Sequence, residues 1–410
     1  MSKKWGNQMT RKTWEFFGSH QIVFGSGAVG QLPEILNKYQ YQKVLVITDR
    51  GIAGTPILQK VISTLNNGEF DVKVFDRAMP EPTLTAILDA YQQLKEVDDL
   101  DVIIGLGGGS SIDFAKIISL LIKYGGSPRD YYNGKTAVPG DVIPLIAIPT
   151  TAGTGSEVTT VAVINDEELK LKVGLTDIHL RPKIALLDSE LTLGLPSYVT
   201  ACSGIDALAH AIEAYTAKPF YAFNSDEKAV FQGAIPIADQ LALNAIEVIA
   251  ENLELAVHQG LNIQAREKML LGSLLAGMSF SNSGTALAHA LAYPIGGRTK
   301  SPHGEIIGLL LPYVVKYNAR MDLQKTSKLY DILVGGEKEL TIDEKIEALY
   351  ERLLALVDHI GIPTKLAMIG IKEHQIVEII EETMQIDRLA RNNPRALTKQ
   401  GLCQLLTDAL

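Results

Sequence analysis

The texture of the sequence changes once, and that change limits what the chain can fold into. From Ile22 to about Leu195, short β-branched runs alternate with amphipathic segments, the pattern of strands laid parallel by helical crossovers. After Pro196 the strand signal stops, and Ala, Leu, Ile and Glu recur at three- and four-residue spacing almost to the C-terminus. With 410 residues the chain exceeds what one core usually organises. The expected architecture is an α/β N-terminal domain with a parallel Rossmann-like sheet (residues 1–197) and an all-α C-terminal domain (residues 198–410).

Four strands are predicted: Val44–Thr48, Val72–Phe75, Val102–Leu106 and Ile143–Pro149, each an apolar run suited to burial on both faces. Helical spacing marks Pro56–Asn66 and Thr83–Lys95 between them. In the second half, turn formers break the helices at Gly233–Pro236, Ser281–Gly284, Gly296–Pro302 and Asn392–Pro394. A net charge of -9 without a basic block argues against a nucleic-acid partner. No apolar run has the length of a membrane span, and no secretory leader is legible, so the expectation is a cytoplasmic protein without a membrane partner. The two cysteines, Cys202 and Cys403, fall outside any Cys-x-x-Cys pair and read as reduced, buried thiols.

The run Asp101–Leu106 leads straight into Gly107-Gly108-Gly109-Ser110-Ser111 and then into helical text. Glycines let backbone approach a pyrophosphate, and the free N–H groups of a first helical turn form an anion site. Asp49, closing the strand Val44–Thr48, is placed to accept hydrogen bonds from ribose hydroxyls and to repel a 2′-phosphate, favouring NAD over NADP. A third loop, Thr150 to Glu157, packs hydroxyls and glycines at the end of a strand. No Gly-Lys-Ser/Thr follows either glycine run, which excludes a P-loop nucleotidase.

Asp206 and His210, four apart among good helix formers, share one helical face. His289 lies in the helical stretch Ala286–Ala292, and His303 starts the helix after Ser301-Pro302. One carboxylate and three imidazoles suit Fe²⁺ or Zn²⁺ with positions left for a substrate oxygen, and spacing does not choose between the two metals. An ion there lowers the pKa of an alcohol held against it and eases hydride loss to a nicotinamide.

These motifs resemble those of the iron-containing alcohol dehydrogenases. The likeness runs through Phe24-Gly25-Ser26-Gly27-Ala28, Gly107 to Asp113, Pro149 to Glu157, Gly204 to Glu213, Pro302-His303-Gly304 and Asn392-Asn393-Pro394-Arg395. It implies a homodimer or larger homo-oligomer that acts on a small alcohol or aldehyde with NAD. It also implies Asp206, His210, His289 and His303 as metal ligands. Asp49, Gly107, Gly108, Ser110, Asp113, Thr150, Thr151, Thr154 and Lys172 become cofactor neighbours.

Three departures from the family pattern stand out. Tyr293 replaces a histidine that many members carry one turn after the third ligand, near nicotinamide and substrate, and is therefore a candidate catalytic residue. Pro219–Gly233 enlarges a connection that could cover the substrate cleft, and Glu81 stands where asparagine is frequent. The tyrosine and the insertion look like the hydroxyacid-oxoacid transhydrogenase branch, which oxidises 4-hydroxybutyrate while reducing 2-oxoglutarate. Arg298, Lys300, Lys218 and Lys228 lie near the relevant motifs, where they either meet such a carboxylate or, the slightly favoured reading, are solvated surface charges. A lyase similar to dehydroquinate synthase would need a basic cluster beside the ligand motifs, and none is legible.

Overall fold

The computed structural model describes residues 10–97, 99–132, 135–169, 171–224, 230–336 and 339–410. The first part comprises β1 (Gln21–Phe24), α1 (Leu32–Lys38), β2 (Lys43–Asp49), α2 (Arg50–Ala53), α3 (Pro56–Asn66), β3 (Asp71–Ala78), α4 (Leu84–Leu94), β4 (Val102–Gly107) and α5 (Gly109–Tyr124). It continues with β5 (Leu145–Pro149), β6 (Val161–Asp166), β7 (Leu171–Thr176) and β8 (Ile184–Leu187). Six strands pair in parallel in the order β1-β8-β5-β4-β2-β3, while β6 and β7 form a separate antiparallel hairpin.

The sheet is covered on both faces because alternate residues of each central strand point opposite ways. Leu45, Ile47, Ile103 and Leu145 join one core with Phe114 and Ile117 of α5, Ile87 of α4 and Ile164 and Leu175 of the hairpin. Val44, Val46, Val102, Ile104, Ile146 and Ile184 join another with Leu32 and Leu36 of α1 and Val61 and Leu65 of α3. All four predicted strands are present, the last beginning at Leu145 rather than Ile143. Strands β1 and β8 and the hairpin are additions.

From Ser197 onward the regular elements are helical: α6 (Ser197–Thr216), α7 (Pro236–His258), α8 (Ile263–Ser283), α9 (Leu287–Gly296), α10 (His303–Asn318), α11 (Leu323–Leu333), α12 (Ile342–His359), α13 (Ile376–Gln385), α14 (Asp387–Asn392) and α15 (Lys399–Ala409). Helix α6 is buried over most of its length, the behaviour of a helix apolar on every side. Helices α7, α8 and α10 pack around it. The α10 crossing is set by glycine. A methyl group on Gly304 would lie 2.2 Å from the Cys202 carbonyl oxygen, and one on Gly308 would lie 2.8 Å from the Ile205 side chain. Cys202 is buried as expected, but Cys403 is exposed on α15, so only one of the two thiols belongs to the core. No helix among the described residues is long and apolar enough to cross a membrane.

Because the clash at Gly304 is with backbone, it cannot be relieved by a side-chain rotation. A Gly304→Ala variant should lose at least about 1–3 kcal/mol of stability in urea unfolding, the usual cost of overpacking.

Candidate metal centre and dinucleotide cleft

Helix α6 presents Asp206 and His210 one turn apart, both buried. The Asp206 Oδ1 atom is 3.9 Å from His210 Nε2, 3.6 Å from His289 Nε2 and 3.9 Å from His303 Nε2. Three helices therefore converge on one carboxylate. Asp206, His210 and His289 form the compact group able to hold an ion. His303, at the start of α10 with a side chain 42% exposed, closes the open side. Buried Asp206 Oδ1, His210 Nδ1 and His289 Nε2 have no hydrogen-bond partner. Orphaned atoms of this kind are costly unless something cationic meets them, and one carboxylate with three imidazoles is a donor set that suits a divalent transition metal. Burial opposes ionisation of Asp206, yet His210, His289 and His303 outweigh it and hold the carboxyl well below its usual range.

The ring of His210 stacks on Phe280 at 4.1 Å, which fixes its plane from the α8 side. His289 is fixed by the last residue of the Gly204 to Glu213 motif. Glu213, buried on α6 one turn after His210, accepts hydrogen bonds from His289 Nδ1 (2.6 Å), Ala288 N (2.6 Å) and Ala286 N (2.9 Å). The carboxylate thus binds the free N–H groups at the start of α9 and directs His289 Nε2 toward Asp206. Burial would lower the His289 pKa, but Glu213 and Asp206 push it up to about 9 in the ion-free chain. Its spacing on the face of Asp206 and His210 was the signal available for Glu213.

Helix α5 starts against the sheet, with Gly107 at φ 144° and Gly108 at its N-cap. A side chain at Gly107 would strike Ser111 Oγ at 2.6 Å, and one at Gly109 would strike Thr154 at 2.6 Å. Asp49 caps α2 by accepting from Ile52 N (3.0 Å) and accepts from Ser111 Oγ (2.8 Å), so it sits beside the glycine loop with a structural duty as well. Ser110 Oγ accepts from Glu81 N at 3.2 Å, and Lys172 Nζ pairs with Glu81 at 2.5 Å, so both residues lie on the cleft's rim. Thr150 is buried and anchored through its N–H to the Gly107 carbonyl. A methyl group on Gly108 would touch Thr151 at 3.6 Å.

Asp113 faces the protein interior. It accepts from Ser156 Oγ (2.5 Å) and Val163 N (2.9 Å) and lies 3.5 Å from the buried Lys116 ammonium. This orientation follows from its place on α5, which turns it toward the hairpin and the Thr150 to Glu157 loop. Lys116 in turn donates to Ser156, Thr159 and the Val161 carbonyl. Burial lowers its pKa to about 8, and burial raises that of neighbouring Glu157 to about 7. The loop these residues brace is wedged into the helical part. A methyl group on Gly153 would meet the Ser203 carbonyl oxygen at 2.7 Å, and one on Gly155 the Gly277 Cα at 2.6 Å.

Of the four basic residues weighed as carboxylate partners or surface charges, Arg298 pairs with Glu382 (2.7 Å) and Glu378 (3.3 Å) across on α13. Lys218 lies over the Phe223 ring at 6.0 Å. Lys300 is exposed, and Lys228 lies outside the described residues. The C-terminal end of the insertion packs inward, whereas Tyr221 near its start is exposed. Gln232 exchanges hydrogen bonds with the Glu15 backbone (2.9 and 2.8 Å), and Phe231 sits 3.1 Å from where a Gly284 side chain would start.

A six-stranded parallel sheet with a glycine loop at one helix start, facing a buried Asp–His group in a helical half, is the layout of a dinucleotide and metal oxidoreductase. The chain belongs to the iron-containing alcohol dehydrogenase family: residues 19–189 match the model named iron-containing alcohol dehydrogenase, and residues 200–410 match the family's C-terminal model. It is 33% identical to the NAD-dependent methanol dehydrogenase of Bacillus methanolicus over 96% of this chain and 99% of that one. It is 31% identical to the mitochondrial hydroxyacid-oxoacid transhydrogenase of Mus musculus over 95% of this chain and 88% of that one. The solved structure of a 1,3-propanediol oxidoreductase superimposes with a TM-score of 0.89 at 30% identity, covering 97% of this chain and all of that one, 100%.

Two expectations follow from this geometry. Replacing Glu213 by Gln puts a donor where three donors already point. Affinity for added Zn²⁺, read by competition with a chelating dye, should fall about 10- to 100-fold. The raised pKa of Glu157 acts on stability: between about pH 4.5 and 7 the unfolded chain has released this proton and the folded chain has kept it. Stability from this group is therefore full at the acid end of that window and falls as the pH rises, by on the order of 3 kcal/mol. Glu157→Gln should flatten the pH dependence of thermal melting across it.

Proposed function

We propose that this protein is a metal-dependent oxidoreductase that moves a hydride reversibly between a small primary alcohol or hydroxy acid and NAD. The observation that carries the reading is the convergence of Asp206, His210, His289 and His303, with buried orphaned ligand atoms, beside a glycine loop at a helix start. In this reading residues 1–197 form the dinucleotide-binding domain and residues 198–410 the metal and substrate domain.

Asp206, His210, His289 and His303 would hold the ion, Fe²⁺ or Zn²⁺, which as a Lewis acid favours loss of the alcohol proton and, in reverse, polarises the carbonyl. Gly107, Gly108 and Ser110 would place free backbone N–H groups of α5 against the pyrophosphate. Asp49 would accept from the ribose hydroxyls, and its charge would disfavour a 2′-phosphate. Thr150, Thr151, Thr154 and Lys172 would line the remaining wall, while Asp113 would shape that wall through Ser156 and Val163. Tyr293, one turn beyond His289, would reach the substrate as hydrogen-bond donor. The reaction converts alcohol and NAD⁺ to carbonyl compound, NADH and a proton.

A second reading, transhydrogenation between two acids with the cofactor retained, rests on Tyr293 and the Pro219–Gly233 insertion. The experiment is NADH absorbance with Fe²⁺- or Zn²⁺-loaded protein over short alcohols, diols and 4-hydroxybutyrate. Free NADH supports the dehydrogenase; silence until 2-oxoglutarate is added supports the transhydrogenase; silence throughout rejects both. A His289→Ala variant should lose at least about a thousandfold in turnover while still binding NAD, and full activity in it would reject the metal assignment.

A further inference from the structure

Arginine side chains in this protein are generally satisfied. Arg129 holds Asp166 and Glu168, Arg298 holds Glu378 and Glu382, and the buried Arg266 donates to Thr200 and to the Gly260 and Leu195 carbonyls. Arg388 on α14 is different. Among the described residues no carboxylate and no backbone carbonyl accepts from it. Its guanidinium lies 5.1 Å over the Phe231 ring and beside the Tyr293 hydroxyl, with Arg391 adding like charge. Withdrawal from water depresses its pKa, with Tyr293 the partner that favours the charged form. A guanidinium left in this state lacks the anion that normally offsets its desolvation.

Its direction is fixed by the helix it stands on. Asn392, one turn later on the same face of α14, donates to the Ser283 and Thr285 carbonyls at 3.1 and 2.9 Å, which pins that face to the junction of α8 and α9. Arg388 therefore looks at α9, and it reaches that helix at Tyr293, one turn beyond His289. A turn advances about 6 Å along the axis. Phe231 supplies an apolar wall beside Arg388.

We infer that Arg388 is the carboxylate anchor of the substrate site, and that the substrate is a short hydroxy acid, or the oxo acid formed from it, whose acid group lies about one helical turn from its reacting oxygen. This rests on the function proposed above and narrows its substrate class. The spacing suits a terminal hydroxyl separated from the carboxylate by several carbons, and it disfavours a 2-hydroxy acid, whose two groups are adjacent. Tyr293 then lies between the ends of the molecule, with its hydroxyl shared between Arg388 and the substrate. The carboxylate supplies the counter-charge that Arg388 lacks, in a paired geometry that guanidinium recognises well.

The test compares 4-hydroxybutyrate with 1-butanol, which has the same carbon count and no charge, in metal-loaded protein, parent against Arg388→Met and Arg388→Lys. For Arg388→Met the loss in kcat/KM on the acid should exceed the loss on butanol by about 100-fold, mainly through KM, with partial recovery in Arg388→Lys. Equal losses on both compounds, or a parent indifferent to the carboxylate, overturn the anchor while leaving the dehydrogenase intact. If neither compound is oxidised, calorimetric titration of 4-hydroxybutyrate into the NAD-loaded protein still decides. Binding lost in Arg388→Met sustains the anchor, and binding equal to the parent, or none in the parent, rejects it.

Discussion

A carboxylate taken into the middle of a helical bundle has to be met by positive charge or by donors, and the Oδ1 atom of Asp206 has no hydrogen-bond partner. The helical half is organised around that demand. Helix α6 brings His210 from one turn away, α9 brings His289, and α10 brings His303 across a contact that only glycine permits. Glu213 imposes the same demand a second time and is answered by two backbone N–H groups and His289 Nδ1. The two buried carboxylates on one helix thus fix α9 and α10 in place, and His289 is held from both sides.

The α/β half reaches this centre through the loop from Thr150 to Glu157. Strand β5 delivers the loop, Asp113 and Lys116 on α5 brace it from below, and its glycines lie against α6 and α8. The two cores that cover the sheet make β4 and α5 a rigid base, and His303 of the helical half lies within electrostatic reach of Lys172 and Glu81 beside the first turn of α5.

Much of this could be read from residue order alone. Strands β2, β4 and β5 announce themselves because parallel strands buried on both faces are continuous apolar runs, as Val102–Gly107 is. Strand β3 at the sheet edge is largely exposed, contrary to the burial expected of Val72–Phe75. Strands β1 and β8 are four residues each, too short to carry a period, and the β6–β7 hairpin lacks the Asn-Gly or Asp-Gly turn that usually marks one. The pairing of Asp206 with His210 is visible in their spacing, and so in retrospect is Glu213. His289 and His303 are different, since no spacing relates them to α6. Their approach depends on how α9 and α10 cross it. Arg298, close to His289 in sequence, pairs with two glutamates of α13, a contact that nothing in its local sequence marks. Arg388 carries no local mark, because its neighbours Phe231 and Tyr293 come from segments far away along the chain.

The glycine contacts have a wider consequence. Where Gly153 rests on the Ser203 backbone and Gly155 on Gly277, the separation between nucleotide loop and metal helix is set by main chain against main chain, a gauge that ordinary side-chain substitution cannot alter. The opposite wall, built from Phe231, Tyr293 and Arg388, is made of side chains and carries no such restriction. Under the function proposed above, a lineage built on this frame is free to exchange one small alcohol for another by redrawing that wall, while the distance a hydride would cross is inherited unchanged.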